Sequence, residues 1–265
     1  MNKASTASKV PTVTLAFWIV YIAATTLGET GGDAVSDTLD WGYLGGTAFF
    51  FVLFVVLAIG QVLSRTLRPP LYWATIVAST MFGTTMADFA DRSLGLGYAG
   101  GSTLLFACLL VTLGLWYRDQ GTIAVNDVAA PRAEIFYWVA ITFSQTLGTA
   151  LGDWVSDGWD LGSATGALIF GAVLAVLVGF YYWTSVSRVL LFWAAFILAR
   201  PLGATLGDFL DQPHDQGGLG LSRPLASAII AAFIILCLLI LPKLAKTHRV
   251  RALEAEGIGG SAGTD

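Results

Sequence analysis

Apolar residues fall in eight stretches, at roughly 13–35, 43–63, 71–90, 99–117, 135–155, 163–184, 189–210 and 222–242, each near the ~20 residues that a helix needs to cross a hydrocarbon core. Short polar segments separate them, and polar residues enter the odd-numbered stretches in a repeating way. Asp33, Asp88, Asp153 and Asp208 each stand five residues after a glycine and 15 after a tryptophan, Trp18, Trp73, Trp138 and Trp193. Successive aspartates are 55, 65 and 55 residues apart. A period carried by a whole segment marks four copies of one helical hairpin.

The copies alternate. Repeats one and three continue as Asp33-Ala-Val-Ser36-Asp37 and Asp153-Trp-Val-Ser156-Asp157, repeats two and four as Asp88-Phe-Ala-Asp91 and Asp208-Phe-Leu-Asp211. A shift of 120 residues superposes Trp18 on Trp138, Asp40 on Asp160 and Trp73 on Trp193. Each half holds an even number of spans, so both halves enter the membrane in the same direction. The pattern predicts an all-α polytopic membrane protein of eight transmembrane helices, arranged as two parallel four-helix halves. Its segments are a tail (1–12), a first half (13–117), a connector (118–134), a second half (135–242) and a tail too polar to order itself (243–265).

Composition agrees and charge adds a direction. Hydrophobic residues make up 55% and charged residues 12% of the 265, against the quarter typical of soluble domains. Threading the spans back and forth puts Lys3, Lys9, Arg65, Arg68, Arg118, Arg132, Arg188, Lys243, Lys246, Arg249 and Arg251 on one side, and only Arg92 and Arg223 on the other. The positive-inside rule then places both termini in the cytoplasm of a multi-pass inner-membrane protein. No small-residue cleavage site precedes the first span, which is read as retained. Twelve of the 18 acidic residues gather in the four motif regions at the opposite face, where they attract cations and repel nucleic acid. Cys108 and Cys237 lie in apolar spans and read as packing residues.

Candidate chemistry sits on the odd stretches. Gly28/Gly32, Gly83/Ala87, Gly148/Gly152 and Gly203/Gly207 have the four-residue spacing that lets membrane helices approach closely. Asp33, Asp88, Asp153 and Asp208 lie at carboxyl ends of helices, where the macrodipole disfavours another anion, so a bound cation or proton is expected among them. Asp37, Asp91, Asp157 and Asp211 extend each motif and join them as candidate metal ligands. One and two turns back lie Glu29, Thr84, Thr149 and Ala204, then Thr25, Thr80, Gln145 and Arg200, on the aspartate's face of each helix. This stripe predicts a polar path inward from the acidic mouth. Glu29 and Arg200 break the fourfold pattern, and Arg200 is expected to pair with Glu29 or a motif aspartate, on a segment that Pro201 and Gly203 could kink.

The fourfold G-x-x-x-[GA]-D unit with its upstream tryptophan, from Phe17 to about Leu221, resembles a bacterial family of membrane-anchored proteins built from repeats of unknown function. The resemblance implies a four-repeat polytopic membrane protein and brings no reaction with it. From the residues, the expected function is a transporter, foremost an exporter, of a hard divalent cation. Its oxygen-only donors suit manganese first, then magnesium or calcium, ahead of zinc or copper. A proton or monovalent-cation conductor is the alternative, and a metal-dependent intramembrane prenyl- or phosphotransferase a weaker one, since the motifs lack basic residues for phosphates. No catalytic residue or organic cofactor is expected. Partners are the ion and membrane lipid, with a homodimer left open.

Overall fold

Each apolar stretch forms one helix in the computed structural model, which describes residues 8–240. In chain order these are α1 (Leu15–Asp33), α2 (Gly42–Leu63), α3 (Pro69–Asp88), α4 (Tyr98–Gln120), α5 (Pro131–Asp153), α6 (Ser163–Trp183), α7 (Arg188–Asp211) and α8 (Arg223–Ile240). The starts have ordinary local causes: the Thr14 hydroxyl accepts from the Phe17 N–H at 3.3 Å, and Pro69 and Pro131 occupy first helical positions. The connector is shorter than its composition suggests, because α4 runs to Gln120 and α5 begins at Pro131. The polar tail 243–265 lies outside the described residues.

The turns after the motif are as repetitive as the motif. Past Asp33, Asp88 and Asp153 the helix widens into a π-turn, Ala34–Thr38, Phe89–Ser93 and Trp154–Gly158. Nine residues after each motif aspartate stands a glycine of positive φ, Gly42, Gly97, Gly162 and Gly217 (67°, 70°, 73° and 83°), where a side chain would be strained. Asp40 and Asp160 are also left-handed (58° and 55°), at the position that Gly95 fills in repeat two. Both are exposed turn residues. Repeat four departs from the pattern: α7 ends without a π-turn, and the segment before α8 folds back, with the N–H groups of Leu219 and Leu221 donating to the carbonyls of Phe209 and Leu210.

Packing follows the repeat. The odd helices form a closed ring, α1 on α3, α3 on α5, α5 on α7 and α7 on α1, while α2, α4 and α6 each lie against the odd helix of the next repeat. α8 completes the circuit on α1, where the Ser227 hydroxyl bonds that of Thr30 at 2.9 Å. Five helices, α2, α4, α6, α7 and α8, are long and apolar enough to cross a membrane. The other three, α1, α3 and α5, are the polar members of the ring, and their polar faces are turned away from the outer surface. A helix screened by its neighbours can carry hydroxyls and carboxylates that a lipid-facing one cannot.

Candidate functional site at the acidic end of the ring

Small residues set the geometry. A Cβ at Gly28 would strike Thr80, one at Gly148 would strike Arg200, and one at Gly203 would strike Thr25; at Gly83 it would lie 2.8 Å from the Gln145 backbone. The first glycine of every motif thus seats the residue eight before the aspartate of the next repeat. The following turn behaves alike: Gly32 faces Thr84, Gly152 faces Ala204, and Gly207 faces Glu29, whose Cβ a methyl there would meet at 2.6 Å. Packing and polar stripe are therefore two sides of one interface, and each helix pushes its neighbour's stripe toward the bundle axis.

The stripe stacks in layers. Under the aspartates lie Glu29, Thr84, Thr149 and Ala204, then Thr25, Thr80, Gln145 and Arg200, all buried. Arg200 is fully buried, and α7 passes through Pro201 without breaking. Its guanidinium donates to Glu29 Oε2 from both terminal nitrogens (3.2 and 3.1 Å) and to the hydroxyls of Thr84 (2.6 Å) and Thr149 (2.5 Å). Four helices are knotted by one side chain. The predicted polar path is therefore filled at this level by groups bonded to one another. Below it, the axis is occupied by Tyr21, Ile76, Ile141 and Phe196, then by Phe17, Tyr72, Tyr137 and Phe192. The stripe continues into them only as hydroxyl contacts, from the Gln145 amide to Tyr21 at 3.4 Å and between Tyr72 and Tyr137 at 2.5 Å.

Above the arginine the carboxylates part company. Single oxygens of Glu29, Asp33 and Asp208 lie within 4.8 Å of one another, on α1 and α7. Asp88 pairs with its own neighbour Arg92 at 3.1 Å, and Asp153 is buried with no ion pair among the described residues. Asp37 and Asp211 are drawn to the mouth by Arg223, at 2.7 and 3.1 Å, which also approaches Asp33 at 3.5 Å. Asp91 turns to the start of α4, where Gly101 makes room for it; burial pushes its carboxyl above the ordinary range, with Arg92 opposing. Asp157 lines the cavity wall.

That cavity, about 960 Å³, opens above the triad and is lined by Asp33, Asp208, Asp157, Asp211, Arg92 and Arg223 together with the fold-back segment of repeat four. The two arginines were not among the candidate site residues. Their signal was present, since they are the basic residues that fall on the acidic face.

Tandem helical hairpins closed into a ring, with an acidic chamber at one end, define a class of repeat-built helical proteins. The family model described as Repeat of Unknown Function (DUF347) matches residues 16–66, 71–122, 136–187 and 191–247, and the chain belongs to that family. The matched segments coincide with the four hairpins. No curated protein and no solved structure matches the chain.

Proposed function

We propose that the chain is a multi-pass protein of the inner membrane that carries a hard divalent cation through its central ring. In this reading all eight helices cross the bilayer, the polar α1, α3 and α5 are screened from lipid, and the basic end faces the cytoplasm. The observation that carries it is the convergence of Glu29, Asp33 and Asp208 within 4.8 Å, with two of the three also lining an open acidic cavity. Two ionised carboxylates this close repel by at least about 3 kcal/mol at an effective dielectric of ~20, which a dication shared by all three reverses. Arg200, held beneath Glu29, keeps a positive charge under the ion and so limits how tightly it is retained. Onward passage requires the aromatic layers to part, as the two halves move against each other.

The test is flux in liposomes holding the purified protein and a divalent-sensitive dye, with manganese, magnesium and calcium supplied in turn. Asp33→Asn and Asp208→Asn are each expected to lower uptake by about tenfold or more, on the scale of losses at metal sites, while Asp40→Asn leaves it intact. Equal flux in the aspartate variants, or none of the three ions moved by the unaltered protein, overturns the reading. The hydroxyl contacts at Tyr21 and at Tyr72–Tyr137 favour a second one, a proton as the carried ion, which a pH dye in metal-free liposomes reports.

A further inference from the structure

The far end of the ring holds an ion pair that the cation site does not use. Lys9 precedes α1 on a strap without regular structure, yet it is 6% exposed and its ammonium lies 2.5 Å from Glu134 of α5, itself 1% exposed. The same ammonium donates to the Val62 carbonyl at the end of α2 at 3.2 Å. The strap is bonded at Ser8 and Lys9: the Lys9 N–H donates to Val128 at 2.7 Å, the Ser8 hydroxyl to Val125 at 2.7 Å, and the Gln61 amide to the Lys9 carbonyl at 3.4 Å. One lysine thereby joins repeat one, repeat three and the connector between the halves. One level deeper, the Tyr72–Tyr137 contact joins α3 to α5 across the same division.

A buried ion pair is a weak source of stability, because desolvation offsets most of the attraction; its better-attested use is to fix one of two arrangements. Lys9 suits that use. It sits on a strap that can leave without unwinding a helix, and its ammonium regains full hydration in water.

We infer that the Lys9 strap is the gate of the basic end, and that its withdrawal lets the α3/α5 seam open toward Ser79 and Gln145, at the level of Arg200. This rests on the transport reading above, and it assigns Lys9 and Glu134 as the residues that hold the closed state. The readout is cysteine accessibility, which needs no flux. Ser79 of α3 is fully buried, close to cysteine in size and one turn before Gly83, which packs on Gln145 of α5, so Ser79→Cys in a Cys108→Ala, Cys237→Ala background reports opening of the seam. A membrane-impermeant thiol reagent is applied from each face in turn. Lys9→Ala is expected to raise labelling from the basic face by about tenfold, a shift in population toward the open form, and to leave labelling from the acidic face unchanged. An unchanged rate, or an equal rise from both faces, overturns the gate. Should Lys9→Ala fail to fold, the exchange Lys9→Glu with Glu134→Lys carries the test: slow labelling supports the pairing and fast labelling overturns it. A protein that moves no cation yet labels as expected retains the gate and loses the transport reading; flux with unchanged labelling does the reverse.

Discussion

The two ends of the central ring are built from the same four helices and solve opposite problems. At the basic end the axis is filled by rings of Phe17, Tyr72, Tyr137 and Phe192, whose aromatic neighbours Trp73, Trp138 and Trp193 lock around them at centroid distances of 5.1–6.5 Å. At the acidic end the same axis holds charges and hydroxyls, and the helices must come closer to pair them. Aromatic layers stabilise chiefly by burying apolar area, a term that has no direction. A polar layer does so only when every partner is in place, and a broken one leaves a stranded charge. The acidic end therefore carries the larger liability.

Removing the cation of the polar layer is the harshest way to probe that contrast. Arg200→Met leaves Glu29 buried and unpaired, an expected loss of about 3–5 kcal/mol, read from thermal unfolding in detergent. Glu29→Met combined with Arg200→Met removes the whole pair and should regain most of that loss. A double variant as unstable as the single one would mean that the polar layer supports the fold as strongly as the aromatic one, and the contrast would fall.

The glycines give a smaller effect with a sharper location. A methyl at Gly83 would stand 2.8 Å from the Gln145 backbone, and backbone cannot swing aside as a side chain can. Gly83→Ala is expected to cost about 1–3 kcal/mol by overpacking, whereas Gly100→Ala, with nothing within 4 Å, should stay within about 0.5 kcal/mol. Both are helix positions, so propensity favours alanine at each, and the difference between them isolates the seam. Equal effects would show that close approach at the acidic end is not what the motif glycine secures.

Much of this arrangement is legible in the chain before any coordinates. The eight helices follow from apolar length, and the shared face of Glu29, Thr84, Thr149 and Arg200 from four-residue steps back from each aspartate. The order of the ring does not follow, because a hairpin repeat fixes which helices are consecutive in sequence and leaves open that α2 lies on α3 and α8 on α1. Arg200 had two kinds of candidate partner by spacing alone; Gly207 settles it for Glu29 by letting α1 close on α7. The aspartates look equivalent in sequence and are not, since Arg92 is four residues from Asp88 while Arg223 reaches Asp33 from the far end of the chain. Lys9 and Glu134 carried a faint signal: Glu134 is an acid among basic residues, in a helix's first turn where the dipole favours it.

The mildest probe lies at the other end. The hydroxyls of Tyr72 and Tyr137 meet at 2.5 Å between two buried rings, so Tyr137→Phe keeps the shape of the aromatic layer and deletes one bond. Its expected cost is about 1 kcal/mol, the net worth of a hydrogen bond plus part of the penalty for leaving Tyr72 unpaired. Tyr72→Phe combined with Tyr137→Phe should cost no more than either change alone, because the second substitution removes the stranded hydroxyl instead of creating another. Thermal unfolding of the three variants gives the cycle directly. A loss at Tyr137 comparable to that of Arg200→Met would place a demanding polar contact inside the aromatic end, and the two ends would then differ in composition only.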